Sequence, residues 1–342
     1  MADTIQPTDA DENMRLAVEQ FRTKMESANR QFLQDRVNEI EAMDLSTEEE
    51  KISEMRVYWS GLGKTPEIKH TPDTTNYIRQ IHEQAKITRL ADVPSIYHRY
   101  MDGIIPPSLL TDEFHQMFLE TIQTMCNEAA FREEDEDFQI PLCHDLGSFI
   151  KYANGVYDPD FRYSGIAPFR PVFGVRRSYY TFDDNGVVPA RPAIDISKAR
   201  EMVEYYLKQF LCDGNFIEGV VDEDLEARVG FITGTGCQNE HDKWYSTYLY
   251  CRRFVDDSDP SHKDWAWRVA FCRADRENPS TLYGRKPRFD SICEFLEWYN
   301  TWPDYITPEK IEMNVLGFES DNDMSWDMCT TLSDLASRRS CH

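Results

Sequence analysis

The chain has 342 residues, 41% of them hydrophobic and 13% aromatic, enough for a substantial core and, by length, for two domains. Its 37 basic and 61 acidic side chains leave a net charge of −24, a surface that argues against nucleic-acid and anionic-lipid ligands and favours basic protein partners or cations. No apolar run approaches the ~18 residues of a membrane span, the opening MADTIQPTDADENM lacks the features of a secretory signal, and the nine cysteines follow no disulfide or zinc spacing, so reduced thiols in cytosol or nucleus are expected.

Between Met14 and Phe32 the residues Met14, Val18, Phe21, Met25, Ala28 and Phe32 alternate steps of four and three, a heptad seam on a helix that then shifts phase to Leu33, Val37 and Ile40. Such a seam either packs on its own domain or pairs with a second copy as a homodimer, and both readings stay open at this point. A second helix is predicted from Ser46, where Ser46 and Glu49 have capping-box spacing, to the Gly61-Leu62-Gly63 stop. From Thr71 to Phe131 the pattern remains helical. Tyr77, Ile78 and Ile81 mark one face, and Leu110, Phe114, Met117, Phe118, Ile122 and Met125 mark another.

The run Glu133-Glu134-Asp135-Glu136-Asp137 interrupts that pattern and reads as a solvated boundary loop, because five consecutive carboxylates cannot all face one ion. Short β-rich runs follow. Ser178–Phe182 leads through Asp183-Asp184-Asn185-Gly186 into Val187-Val188 as a hairpin, and Ile196–Leu211 is an amphipathic helix with Ala199, Met202, Val203, Tyr206, Leu207 and Phe210 inward. Two aromatic strands come next. Trp244, Ser246, Tyr248 and Tyr250 share one face of the first, Trp265, Trp267, Val269 and Phe271 one face of the second, and both faces are expected to meet a helix layer.

In Phe289–Trp302, Ser291 and Glu294 have capping-box spacing, and Ile292, Phe295, Leu296 and Tyr299 fall on one helix face, with Trp298 at its margin and Trp302 beyond the helix. These elements predict an α+β fold, helices packed on a mainly antiparallel sheet, preceded by an all-helical N-terminal region. The domain division expected is residues 1–130 helical, 135–302 α+β, and 303–342 a disordered acidic tail.

Local catalytic signatures are missing. Gly234-Thr235-Gly236 lacks the residues of a phosphate cradle and reads as a turn between strands, and the Asp256–Asp259 run reads as a solvated loop. Cys143 adjoins His144, but neighbouring residues point apart, and Cys237 with His241 is one ligand pair without a second. No metal, no cofactor and no catalytic residue is therefore assigned. The one dense basic group, Arg252, Arg253, Arg268, Arg273, Arg276, Arg285, Lys286 and Arg288, reads as strand flanks that keep the domain soluble.

Three segments taken together carry a resemblance: IPLCHDLGSFIKYANGVYDP at Ile140–Pro159, the aromatic strands Trp244–Cys251 and Trp265–Cys272, and FDSICEFLEWY at Phe289–Tyr299. Their order resembles the SUKH superfamily of fungal cell-wall-synthesis regulators and bacterial toxin-immunity proteins, across about Phe138–Tyr299. The resemblance implies helices on one sheet and a function by protein binding in signalling, cell-wall regulation or immunity, with no catalytic residues to carry over. On this reading the partner-binding candidates are Asn154, Gly155, Tyr157 and Asp158 in one loop, Trp244 and Tyr245 at a strand start, Asp256 and Asp257, and the ring pair Trp298 and Trp302. For Asn154-Gly155 a left-handed helix stop is the competing reading. The alternative function is an enzyme with a spatially assembled carboxylate/His site using His144, Asp145 and Glu240.

Overall fold

A computed structural model describes residues 9–59, 88–95, 101–133, 138–158, 166–187, 189–213, 225–238, 244–254, 264–273 and 288–305. The first helix, α1 (Asp9–Glu41), buries Met14, Val18, Phe21, Met25, Asn29, Leu33, Val37 and Ile40. Steps of four and three hold a stripe on one side of a helix, but each step of four advances it by roughly 40°. From Met25 to Val37 three such steps follow one another, so the stripe turns onto Leu33, Val37 and Ile40 as the phase shift predicts, and Asn29 takes the inward place expected for Ala28.

The turn in the stripe serves two cores. Met14, Val18, Phe21 and Met25 enter the main one. Leu33, Val37 and Ile40 join Met55 of α2 (Glu48–Trp59), with Leu90 and Val93 of a 3-10 turn (Leu90–Ser95) and Met101, in a smaller one. Asn29 sits at the join and donates from Nδ2 to the Met101 carbonyl at 2.9 Å. Because the α1 seam is covered by its own chain, it is not available for the homodimer that the heptad spacing allowed.

At the start of α2 the capping box is Thr47 with Glu50: Thr47 Oγ1 accepts from the Glu50 N–H at 3.2 Å, and the Glu50 carboxylate accepts from the N–H groups of Thr47 (3.0 Å) and Ser46 (2.9 Å). The expected Ser46–Glu49 box is thus displaced by one residue. Tyr77, Ile78, Ile81 and the Gly61–Gly63 stop lie outside the described residues. α3 (Asp112–Ala130) is capped by Thr111 and buries Phe114, Met117, Phe118, Ile122 and Met125, as the periodicity predicts. α4 (His144–Tyr152) follows, and α5 (Ile196–Phe210) is capped by Asp195 and buries Ala199, Val203 and Leu207.

All strand pairs among the described residues are antiparallel, and the α+β class expected from the sequence is what the chain adopts. β1 (Ile104–Ile105), a strand within the stretch expected to be all helical, forms one sheet with β2 (Gly155–Asp158) and β3 (Ile166–Phe169), and β4 (Tyr180–Phe182) pairs with β5 (Pro189–Pro192), a hairpin that returns just after the expected Val187-Val188. The main sheet has the order β10-β9-β8-β7-β6, from β6 (Leu211–Asp213), β7 (Leu225–Gln238), β8 (Trp244–Phe254), β9 (Ala266–Arg273) and β10 (Arg288–Phe289). Gly234 lies inside β7 rather than in a turn, because a Cβ there would stand 2.3 Å from the Ala167 carbonyl oxygen of β3. Thr247 Oγ1 donates to the Pro168 carbonyl and the Arg170 N–H to the Thr233 carbonyl, tying the two sheets together.

Register corrects the expectation for the first aromatic strand. Leu249 stands opposite Val269 and both enter the main core, so Tyr248, opposite Ala270, and Tyr250, opposite Arg268, face away from the helices. There they cluster with Ala227 and Ala270. For β9 the expectation holds, with Trp267, Val269 and Phe271 in the main core.

The closing helix, α6 (Ile292–Tyr305), is built as its sequence predicts up to Tyr299 and runs on through Trp302, which was expected beyond its end. Ser291 Oγ accepts from the Glu294 N–H at 3.1 Å, the Glu294 carboxylate accepts from the Asp290 N–H at 2.6 Å, and Asp145 Oδ2 accepts from the Ile292 N–H at 3.1 Å. Ile292, Phe295, Leu296 and Tyr299 are all buried. The Phe295 ring lies 5.7 Å from Phe169, 6.2 Å from Phe271 and 5.4 Å from Phe289, which joins α6 to both sheets. Residues 306–342, the rest of the expected tail, lie outside the described residues. One core thus contains Phe21 of α1, Phe118 of α3, Phe231 and Phe271 of the sheet and Phe295 of α6, so the division expected at 130–135 does not divide it.

Phe295→Ala should cost about 3–5 kcal/mol, the range for a large aromatic in a packed core, read as a lowered urea midpoint; an unchanged midpoint would place Phe295 outside the core. Burial holds the His115 imidazole below its ordinary range, against a bond to the Ile150 carbonyl and with Lys151 and Asp112 as its charged neighbours. The unfolded chain therefore takes up this proton first, so the stability tied to neutral His115 is complete above about pH 6.5 and falls as the pH drops toward the lower folded value. Urea midpoints at mildly acidic and neutral pH should differ less in His115→Gln than in the parent, and equal differences would contradict the assignment.

Candidate functional site

The loop expected to face a partner is instead part of the scaffold. Asn154 is 6% exposed, its Oδ1 accepts from Ser108 Oγ at 2.8 Å, and its N–H donates to the Ile105 carbonyl at 2.8 Å. Gly155 is buried, and a Cβ on it would lie 2.7 Å from the Phe169 carbonyl oxygen of β3. The helix stop reading fails too, since the α4 cap, Ala153, is extended and Gly155 is not among the glycines with positive φ. Asn154-Gly155 joins β1, β2 and β3, which is why it is buried.

Tyr157 is half-buried, and its N–H donates to the Gly103 carbonyl at 2.8 Å. Asp158 ends β2, Trp244 and Tyr245 begin β8 and Trp302 lies in α6, but their side chains, like Asp256 and Asp257 as a whole, fall outside what is described. Trp298 is half-buried, with its ring 5.4 Å from Phe271 and 5.0 Å from Phe289, so it belongs in part to the core. The structure does not bring the described members of this set together on one surface.

The chemical candidates are dispersed as well. Burial pushes the Cys143 thiol well above its ordinary range, which disfavours a thiolate, and His144 beside it is exposed at the helix start. Asp145 is engaged as the cap of α6. Glu240 and His241 lie outside the described residues, as does the Cys237 side chain. Among the described residues no group of three His, Cys, Asp or Glu is placed to hold a metal ion.

A different cluster forms at the end of the main sheet, where the connection from α3 to α4 crosses it. In β7 the register shifts between Ala227, opposite Arg252, and Val229, opposite Cys251, leaving Arg228 as the extra residue of a bulge. Its guanidinium carbon lies 4.8 Å from the centre of the Phe138 ring and 5.3 Å from that of Trp265, and these two rings meet edge to face at 5.1 Å. The Arg253 guanidinium takes the same Trp265 at 5.0 Å.

One carboxylate organises these cations. Glu226 accepts from Arg253 Nε at 2.7 Å, pairs with Arg253 Nη2 at 2.6 Å, and lies in ion-pair range of Arg228 Nε at 3.3 Å and Arg132 Nη1 at 3.9 Å. The Arg228 side chain is 4% exposed, that of Arg132 36% and that of Arg253 43%, so the first is structural and the other two reach solvent. Carboxylates border these guanidinium groups, since exposed Glu133 follows Arg132 and exposed Asp264 precedes Trp265. The connection is held by bonds from Trp267 Nε1 to the Pro141 carbonyl (2.7 Å) and from Gln123 Nε2 to the Ile140 carbonyl (2.8 Å). It presents Phe131, 58% exposed, and Leu142, 60% exposed.

A second arginine group, on the far face, differs in kind. Arg252 Nη2 and Arg268 Nε approach Asp290 Oδ1 at 3.3 and 2.8 Å beside Tyr250. Burial, and then the like charge of Arg268, push the Arg252 guanidinium below its ordinary value, while Tyr250 and Asp290 oppose that shift. Arg252 is almost fully buried, so this group is part of the scaffold.

Sequence reading noticed Arg252, Arg253, Arg268 and Arg288 only as soluble strand flanks and did not single out Arg132, Glu226, Arg228, Phe138 or Trp265 as a unit. The only local signal was the Glu226-Ala227-Arg228 triplet at the start of a strand. Comparisons with protein-family models, with curated proteins and with solved structures return no match for this chain.

Glu226→Gln should lower stability by about 1–3 kcal/mol, because it removes the carboxylate charge that faces the buried Arg228 and accepts from Arg253. Arg132→Gln, at a longer and more exposed contact, should cost less than about 1 kcal/mol. Urea midpoints of the two variants check this order, and a costlier Arg132→Gln would contradict it.

Proposed function

We propose that this chain is a non-enzymatic regulatory protein-interaction module of the SUKH type, acting in signalling, cell-wall regulation or immunity. The observation that carries the reading is the ring-backed arginine cluster around Glu226, which offers two solvent-reaching guanidinium groups beside exposed apolar side chains. Guanidinium and aromatic groups are the ones most enriched where proteins bind one another. Two further features support the SUKH comparison. The Pro141-led helix with buried Phe149 and Ile150, the aromatic strands and the closing helix share one core, and the helices lie on an antiparallel sheet.

The alternative, an enzyme using His144, Asp145 and Glu240, has the weaker support, since Asp145 is spent on the cap of α6. Among the described residues no helix is long and apolar enough to cross a membrane, and Cys126, Cys143, Cys212, Cys251 and Cys293 are free thiols. These fit a reducing compartment, cytosol or nucleus, as the place of action. Affinity capture of the tagged full chain from a native lysate, followed by light scattering of the eluate, is expected to return a stoichiometric complex with another protein. A chain that elutes alone under several salt conditions would overturn the reading.

A further inference from the structure

We infer that Asn185 is a site of spontaneous covalent modification, where the side-chain amide is lost through ring closure with the Gly186 nitrogen and an aspartyl or isoaspartyl residue remains. The inference is independent of the interaction-module reading and rests on a comparison within the chain. Asn-Gly occurs twice in the sequence, as Asn154-Gly155-Val156 and Asn185-Gly186-Val187. The same two residues follow each asparagine, so the intrinsic chemistry is matched and the fold decides which site reacts. Glycine in the following position favours the ring closure, because no Cβ hinders its nitrogen and its backbone turns freely.

The reaction needs only water. The Gly186 nitrogen gives up its proton and bonds to Asn185 Cγ, the Cγ–Nδ2 bond breaks, and the amide nitrogen leaves as ammonia. A five-membered imide remains. Water then opens it at one of two bonds: breaking the bond from nitrogen to Cγ gives aspartate, and breaking the bond from nitrogen to the backbone carbonyl carbon gives isoaspartate. The isoaspartyl form carries one extra carbon in the main chain, and either form adds a negative charge.

At Asn154 the fold forbids this. The residue is 6% exposed, its N–H donates to the Ile105 carbonyl, and its Oδ1 accepts from Ser108 Oγ. Gly155 is paired opposite Ile105, and the Phe169 carbonyl oxygen and Arg170 crowd its α-carbon, so its nitrogen has no room to swing. At Asn185 the surroundings are the reverse. Asn185, Gly186 and Val187 are all exposed in the turn between β4 and β5, and nothing lies within 4 Å of a Cβ built on Gly186.

Asp183 alone holds this turn in its closed form. Its carbonyl accepts from the Gly186 N–H at 2.9 Å, and its Oδ1 accepts from the N–H groups of Asn185 at 3.1 Å and Val187 at 3.3 Å. Water replaces these exposed bonds when the hairpin tip opens, which frees the Gly186 nitrogen. The base of the hairpin is fixed separately, since Tyr180 Oη accepts from the Leu110 N–H at 3.2 Å and its ring lies 5.1 Å from Phe114. The modification is thus confined to the tip and leaves the core intact.

The test incubates the folded full chain in warm, mildly alkaline heavy-oxygen water and follows both Asn-Gly peptides by mass spectrometry, with fragmentation that separates aspartyl from isoaspartyl. Heavy oxygen in the product marks conversion during incubation rather than during digestion. Asn185 is expected to convert at least about tenfold faster than Asn154, the protection that a core strand holds over an exposed tip. Both acid products should form, and the thermal melt should keep its single cooperative transition. In urea the two rates should approach one another. Asn185→Gln, whose longer side chain closes the ring far more slowly, should remove the product at the tip and leave the Asn154 rate unchanged. Equal rates at both sites in the folded chain, an Asn185 that converts only in urea, or a product without isoaspartate would each overturn the inference.

Discussion

The buried aromatic face of α6 has to be filled from two sides, and the rest of the fold is arranged around that constraint. On one side Phe295 meets Phe271 and Phe289 of the main sheet and Phe169 of the smaller one. On the other, Tyr299 meets Phe21 of α1 with ring centres 6.3 Å apart. Burying large side chains of this kind contributes roughly 1.5–3 kcal/mol each, so the sheet alone, which covers only one flank, would leave much of that gain unrealised. The N-terminal helix is therefore a component of the core. Its acidic start is fixed there too, with Asp11 accepting from Ser148 Oγ at 2.6 Å and from Lys151 Nζ at 2.7 Å.

This arrangement determines which surfaces remain for function. The heptad seam of α1, the Asn154-Gly155 loop and much of Trp298 are consumed by packing. Among the described residues, the end of the main sheet stays accessible, where a β-bulge pushes Arg228 into the layer between strand and connection and Glu226 gathers Arg132 and Arg253 around it. A bulge re-aims a side chain at the cost of one ladder position, and here the re-aimed side chain is the buried cation that orders two rings. The chain, of net charge −24, thus carries a ring-backed arginine cluster bordered by carboxylates.

How much of this was legible in the sequence varied with the range of the interaction. α6 could be read almost residue by residue, because its cap and its buried face depend only on spacings of three and four. The α1 seam and its phase shift to Leu33, Val37 and Ile40 were equally clear, but the second core that the shifted stripe enters was not, because Leu90, Val93 and Met101 lie far along the chain. The box at α2 slipped by one residue because Ser46-Thr47 and Glu49-Glu50 offer two equivalent pairings in sequence. Tyr248 and Tyr250 went to the unexpected face because strand facing is set by partner register, which a single strand does not contain. The Glu226 cluster was hidden for the same reason in stronger form: it joins Arg132, Phe138, Arg228, Arg253 and Trp265 through a bulge and a crossing connection, neither of which has a local signature.

The central claim, that α1 and α6 complete one core, is tested most directly by a double-mutant cycle on Phe21→Ala and Tyr299→Ala, with stability measured by urea denaturation of the full chain. Rings in contact should give a coupling energy of about 0.5–1.5 kcal/mol beyond the sum of the single losses. Strictly additive losses would contradict it, and with it the placement of the N-terminal helix in the core.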